Sequence, residues 1–456
     1  MEKTLKTDWL ASKPVFYNEK TKRFGYNIND VIDLDNLEFD GEGLFNYLNF
    51  GYSVLGKTPV KHVRFLRPNS EIGLVDGELR IVNHADTAIS GLDRHRLSEA
   101  DIIDMMRQKV NGWCNEADTV IVPTSGGFDS RLLNWLIADP SKARAFSYAA
   151  SERHPEAVKA AALCRKLGIR WEYVPLGRFH NYIDEWDRMF GAATHSHGMY
   201  QMEFYHLIDK DPSLAAQPVL SGIVGDLWAG SIAPRKPESP ADILELGYTH
   251  GLAADGNQSL LSHGNEAAEA FFEQMRGELA DMRVRVLETV RIKMILLNYL
   301  VRVPEAQGHP TWSPFLDADV ALAMLNLPQE RRQNRLWQRE LFARQGLDLE
   351  HEHLRENRCG HIVLNGMRQV PLRPLRKELL REVIREDYVD WINRRLLDNG
   401  VFGRLFDDIM FTPYIKEVLR RMGVRHERIE AYFAYLTLKP IENLLVRRNG
   451  RATGRA

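Results

Sequence analysis

The residues best suited to chemistry lie together in the run Val120-Ile-Val-Pro-Thr-Ser-Gly-Gly-Phe-Asp-Ser-Arg131. A buried-strand pattern from Thr119 to Pro123 feeds a loop, Ser125-Gly126-Gly127-Phe128-Asp129-Ser130, and a helix pattern over Ser130 to Ile137 follows at once. Gly126 and Gly127 let the backbone turn its N–H groups inward, and the helix start adds unpaired donors and a positive dipole end. The hydroxyls of Ser125 and Ser130 add two further donors. Such a cradle suits an anion, phosphate above all. Asp129 does the opposite work. A carboxylate beside phosphates is repulsive unless a divalent cation lies between them, so this acid implies Mg²⁺. A capped Ser/Gly turn is the plainer reading. The strand before, the helix after and the acid at that offset favour phosphate.

A second acid, Asp226, lies in Ser221-Gly222-Ile-Val-Gly225-Asp226-Leu-Trp-Ala-Gly230, after another strand pattern. Carboxylates at the C-terminal ends of two strands can face one crevice. Two such acids can clamp a Mg²⁺-pyrophosphate leaving group. His195 and His197, with Tyr200, lie in a loop on the same side of the sheet. They are candidates for holding a substrate carboxylate or for acting as base, and could equally be plain loop residues.

These residues need a scaffold of alternating strands and helices. Ser98 to Asp101 resembles a capping box, and Ile103, Met106, Val110 and Trp113 follow on one helical face. Strands are expected at 119–123, 143–149, 170–174 and 218–221, with a helix from Pro155 to Gly168. The alternation predicts an α/β fold with a twisted parallel sheet flanked by helices. Residues 1–97 read as a small β-rich unit. Asp76-Gly77 marks a hairpin, and Gly41 to Leu48 suits one helix. The C-terminal half reads as helical, with one or two long helices over 265–300 and several more over 371–397 and 413–445. The run Gln329 to Arg339 reads as a solvated helix face, and the basic segment 447–456 as a flexible tail.

Bulk composition narrows the classes. The chain has 456 residues, 44% apolar and 27% charged, with a formal net charge of −2. No basic field exists to hold nucleic acid or an anionic membrane. The three cysteines, Cys114, Cys164 and Cys359, show no zinc or disulfide spacing. Neither a signal peptide nor a membrane span is read, so a cytoplasmic protein is expected.

The loop SGGFDS resembles the pyrophosphate loop of the N-type ATP pyrophosphatases, and the chain is most similar to the asparagine synthetase family among them. Asp8 to Tyr17, Phe24-Gly25-Tyr26, Tyr47-Leu48, Phe50-Gly51-Tyr52 and Thr58-Pro59 resemble the late part of that family's glutaminase domain. The segment 221–230 is similar to its second signature. Pro314-Phe315-Leu316-Asp317 and Leu327-Pro328 resemble later landmarks. The resemblance implies a truncated glutaminase-like unit over 1–97 and a synthetase domain of adenine nucleotide alpha hydrolase-like fold over 98–446. It implies ATP contacts from Val122, Ser125, Gly126, Gly127, Asp129, Ser130, Ser147 and Gly222, with Mg²⁺ on Asp129 and Asp226.

Three departures qualify it. Residue 2 is Glu2 where the family has its nucleophilic cysteine, so glutamine hydrolysis is not expected, and the remnant is expected to serve as scaffold or oligomer contact. Ile223 and Leu227 replace family acids, as happens in lactam-forming members. The stretch Asn357 to His361 lacks the family's catalytic lysine, leaving Arg358 or Lys439 as candidates to stabilise an oxyanion. The implied activity is adenylation of a carboxylate by ATP, with release of pyrophosphate and transfer to ammonia or an amine. A separate glutaminase and a homodimer are compatible with it. A degenerate scaffold protein and a tRNA-modifying pyrophosphatase are the competing readings.

Overall fold

The computed structural model describes residues 4–149, 151–247, 253–351, 362–397 and 426–453. The first part of the chain forms two small antiparallel sheets. One pairs β1 (Leu5–Lys6), β5 (Ser70–Val75) and β6 (Glu78–Asn83) in the order β1-β5-β6. The other holds β2 (Phe16–Asn18), β3 (Phe24–Gly25) and β4 (Val63–Phe65) in the order β3-β2-β4. The expected hairpin joins β5 to β6, with Asp76 at φ +52 and Gly77 at φ +80. Two successive left-handed residues are what a tight type I′ turn requires. Helix α1 (Gly41–Phe50) starts at Asp40, whose side chain accepts from the Gly43 N–H, and ends on left-handed Gly51.

Helix α2 (Glu99–Asn115) opens the second unit with the Ser98/Asp101 capping box in place. The sheet strands follow: β7 (Val120–Pro123), β8 (Ala143–Ser147), β9 (Arg170–Tyr173), β10 (Val219–Leu220) and β11 (Thr311–Trp312). Helices α3 (Phe128–Leu136), α4 (Pro155–Leu167) and α5 (Tyr200–Ile208) connect the first four. All pairings are parallel and the order is β11-β10-β7-β8-β9. Residues alternate between two cores. Val120, Val122, Ala143 and Ala145 belong to one, and Ile121, Phe146 and Val219 to the other. The short fifth strand was not anticipated: two residues after Pro310 carry no period to read.

Strand order reverses between β7 and β10. From β7 the chain steps outward to β8 and β9, then crosses back to lay β10 on the other side of β7. Ligands of open α/β sheets bind at such a switch point, outside the carboxyl ends of the strands. The loops after β7 and β10 carry Asp129 and Asp226.

After β10 come α6 (Gly225–Ala229), α7 (Glu266–Met275), α8 (Met282–Leu297) and α9 (Tyr299–Ala306). Where one or two long helices were expected over 265–300, the chain is broken twice. Asp281 caps α8 with its side chain, and Asn298 separates α8 from α9. Further on lie α10 (Leu336–Arg344), α11 (Glu386–Leu397) and α12 (Glu427–Thr453).

Two expectations at the C-terminal side are corrected. The tail from Arg447 continues α12 as helix to Thr453. Its arginines are paired: Arg447 donates to Asn29 Oδ1 at 2.9 Å and Arg448 to both oxygens of Glu382. Composition alone cannot show such partners. Nor is Gln329–Arg339 a solvated face. Arg332 is buried and donates to the Trp228 carbonyl, and Trp337 donates to that of Ala229. Both satisfy carbonyls at the end of α6 that the helix itself cannot. Among the described residues no helix is long and apolar enough to cross a membrane.

Candidate active site

Beyond β7 the chain turns through Ser125, Gly126 and Gly127 into α3. Gly126 stands at φ +72, and a Cβ there would lie 2.6 Å from the Lys159 Cβ and 2.7 Å from the Ala160 backbone nitrogen. The loop is pressed onto α4 at a distance only glycine permits. Ser130 Oγ donates to the Gly127 carbonyl at 3.1 Å, and the Gly127 N–H donates to Ser125 Oγ at 3.3 Å. Arg131, wholly buried, fastens the loop from behind. Its Nη2 donates to the Gly126 carbonyl and to Glu350 Oε1, each at 2.9 Å, and Nη1 reaches Glu350 Oε2 at 2.9 Å. That forked pair is the strong geometry for an arginine.

Asp129 heads α3 against the loop that follows β10. A Cβ on Gly222 would lie 3.6 Å from the Asp129 Cβ, and one on Gly225 would lie 2.9 Å from its carboxyl carbon. The two glycines of the second motif make room for the acid of the first. Val224, which caps α6, has φ +55. A β-branched residue in that region is strained, and such strain concentrates at functional sites. Burial pushes the Asp129 carboxyl up to about 7; Arg335 pulls it down, and the charge of Asp226 adds to the rise. On Asp226, Oδ2 accepts from Ser231 Oγ at 3.0 Å.

Sequence reasoning missed two cations here, one paired with Asp129 and one within the field of Asp226. Arg335 forms an ion pair with Asp129, lies over the Phe128 ring at 4.9 Å and donates to Gln338 at 2.8 Å. It stands at φ +60, directly after Asn334 at φ +52, a chain reversal that a charge-run reading cannot foresee. Lys293, from α8, senses Asp226: burial lowers its ammonium and the Asp226 charge partly restores it. A half-buried lysine mid-helix was the available signal.

The donor set suits Mg²⁺. Among the described residues no cluster of three or more metal-binding side chains exists. Mg²⁺ needs none, since it takes one or two carboxylates and fills its other positions with phosphate oxygens and water.

The remaining candidates separate. Val122 is buried in the core, and its carbonyl accepts from Thr124 Oγ1 at 2.8 Å, so it forms the floor under the loop. Ser147, an expected ATP contact, ends β8 with its hydroxyl turned to protein partners. That hydroxyl donates to the Thr124 carbonyl and accepts from Trp171 Nε1 at 2.8 Å, tying three strand ends together. Beyond it, Tyr148 lies tilted by 48° against Tyr200, with rings 5.6 Å apart, and Tyr200 bonds Tyr299 hydroxyl to hydroxyl at 2.8 Å. His197 faces Tyr200 and Phe433, and burial pushes it down to about 4. His195 is more deeply buried against Gly51, and its backbone N–H donates to the Gly51 carbonyl at 2.6 Å. Both histidines are neutral near pH 7. Lys439, a candidate for stabilising an oxyanion, lies on α12. Its ammonium pairs with buried Glu442 one turn away on α12, and among the described residues it contacts neither loop acid. Arg358 lies outside the described residues.

Ile223 and Leu227, where family acids were expected, are core residues at 2% and 7% exposure. Fold and site together define a parallel α/β protein with an anion cradle and paired acids at its switch point. No family model and no curated protein matches the chain. Among solved structures, the NH3-dependent NAD synthetase from Campylobacter jejuni subsp. jejuni NCTC 11168, in complex with the nitrate ion, aligns with 46% of this chain and 93% of its own. The identity is 14% and the TM-score 0.24.

Proposed function

We propose that this chain is an ATP-dependent amide-bond synthetase that forms AMP and pyrophosphate, related to the asparagine synthetase family and without a working glutaminase. The observation that carries the reading is the meeting of Asp129 and Asp226 at the switch point, beside a glycine-opened loop at a helix start. In this reading ATP lays its phosphates on Ser125 to Ser130, and the backbone N–H groups there hold them. Asp129 and Asp226 hold Mg²⁺, which when bound neutralises charge growing on the leaving pyrophosphate. A substrate carboxylate oxygen attacks the α-phosphorus, the bond to the β-phosphate oxygen breaks, and an acyl-adenylate forms. An amine nitrogen then attacks the acyl carbon, AMP leaves, and the nitrogen loses a proton to a base.

Each residue acts by position and charge. Arg335 pairs with Asp129 and is proposed to shift its guanidinium to a phosphate oxygen when ATP binds. Lys293 supplies a cation on the Asp226 side. The neutral His197 and the Tyr148–Tyr200–Tyr299 group border the carboxyl end of β8 and are proposed to receive the acid or the amine. One observation favours a second reading: a nucleotide-binding scaffold would retain Arg335 on Asp129 permanently, with a side chain standing where Mg²⁺ belongs.

Product analysis decides between them. Purified protein, ATP and Mg²⁺ are incubated with a small-metabolite extract, and nucleotides are resolved by chromatography. AMP with pyrophosphate, lost in Asp129→Ala, is the expected result. ADP as sole product overturns the reading. ATP binding without turnover supports the scaffold.

A further inference from the structure

Away from the switch point, a cavity of about 320 Å³ opens between the small N-terminal sheets and helices α7 and α8. That volume is within the range of small-molecule pockets. Its walls include Leu55, Phe65, Phe271, Met275, Ile292 and Ile295. One face of α8 supplies Glu288, Arg291, Ile292 and Ile295, at the spacing of a single helical stripe. Lys293, which senses Asp226, belongs to another face of that helix.

The polar end of the cavity is a triad of buried Arg291 and Glu288 with half-buried Asp86. Arg291 holds Asp86 with two bonds, Nη1 to Oδ2 at 2.5 Å and Nη2 to Oδ1 at 3.0 Å. The same Nη1 donates to Glu288 Oε1 at 2.7 Å, and Nε donates to the Trp9 carbonyl at 3.0 Å. Four of the five guanidinium N–H groups are thus used, and two carboxylates share one cation. Glu288 is 6% exposed, and among the described residues its second oxygen has no hydrogen-bond partner. An unpaired carboxylate oxygen in an apolar cavity is costly unless a donor reaches it. The other charged groups of the cavity, Arg67 and His84, stand exposed at its mouth.

We propose that this cavity binds a small aliphatic amine, its ammonium donating to Glu288 and its chain lying on Phe271, Met275, Ile292 and Ile295. The ammonium brings the triad to charge balance and supplies the missing donor. A carboxylate of the same length would meet Glu288 head-on, and an alcohol would leave the excess charge in place. The site is separate from the proposed ATP site, so its test does not depend on turnover.

Hexylammonium, hexanol and hexanoate are the probes, with binding to the full chain followed by calorimetry and by thermal unfolding. The expected result is saturable, one-to-one binding of hexylammonium, with hexanol and hexanoate at least about tenfold weaker. Glu288→Gln should lose at least about tenfold in hexylammonium affinity. Ala270 lines the cavity from an exposed position, so Ala270→Trp should close it without disturbing the core, and abolish binding. Absence of saturable hexylammonium binding overturns the proposal. So do equal affinities for the three probes, or binding that survives Ala270→Trp.

Discussion

Trp9 lies on Trp228 with ring centroids 5.9 Å apart and planes inclined by 22°. Each indole N–H finds a neighbouring carbonyl: Trp9 that of Leu316 at 3.0 Å, Trp228 that of Phe315 at 2.9 Å. The N-terminal unit thereby reaches the helix that carries Asp226. This ties the N-terminal unit to the candidate site through packing alone.

Trp9→Ala should therefore act on both stability and the site. Loss of the ring removes apolar burial and the stacked pair, about 2–3 kcal/mol. Nucleotide affinity should fall with it, while Trp9→Phe retains most of both. Chemical denaturation and ATP titration on the same samples check this. An unchanged affinity in a destabilised Trp9→Ala would separate the remnant from the site.

Arg335→Ala removes the cation from Asp129. If the guanidinium moves to phosphate during reaction, AMP formation should drop by about 10²–10³-fold. Arg335→Lys should recover part of the rate. A variant that is as active as the parent would assign Arg335 to holding the empty site only.

The raised Asp129 carboxyl makes nucleotide-free stability depend on pH. Folded Asp129 gives up its proton near pH 7, whereas the ordinary value is 3.8. Between these the folded state binds more protons than the unfolded one, so stability falls as pH rises through that window. With the side chain about one-fifth exposed, the loss is about 2–3 kcal/mol, below the full linkage value. Asp129→Asn should flatten this part of the stability profile, gain stability at pH 8, and abolish turnover. Denaturation midpoints at pH 5 and pH 8 test it. A profile that is equally steep in Asp129→Asn would place the titrating group elsewhere.

Two lysines should respond differently. Lys439→Ala leaves buried Glu442 without its ammonium and should cost about 3 kcal/mol. Its AMP formation per folded molecule should stay unchanged. Lys293→Met keeps the helix and the bulk but removes the charge near Asp226. It should lower turnover at least tenfold with stability held or raised, since a partly desolvated cation is lost. Steady-state rates normalised to folded protein distinguish them.

Local signals read well from sequence where one principle acts alone. The Ser98 box, the Asp76-Gly77 turn, the Pro155 start and Gly168 stop, and the four longer strand patterns all lie at or near the expected residues. Asp129 and Asp226 were legible because each follows a strand. Arg335 was not, because its neighbours suggested a solvated helix, and only the reversal at Asn334 aims it inward. The partners of Ser147, Thr124 and Trp171, were not legible, because they come from adjacent strands whose register is a tertiary fact. The tail was misjudged for the same reason: Asn29 and Glu382 lie far from it along the chain.

The bond from Arg447 to Asn29 spans 418 positions. No such contact can form until residue 447 has left the ribosome, roughly 20–90 s after the first residues at ordinary translation rates. Through that interval the surface of the N-terminal unit that α12 will cover faces solvent or a chaperone. Nascent chains halted before α12 should thus be the aggregation-prone species, and slow synthesis, rather than heat, the condition under which this protein is most readily lost.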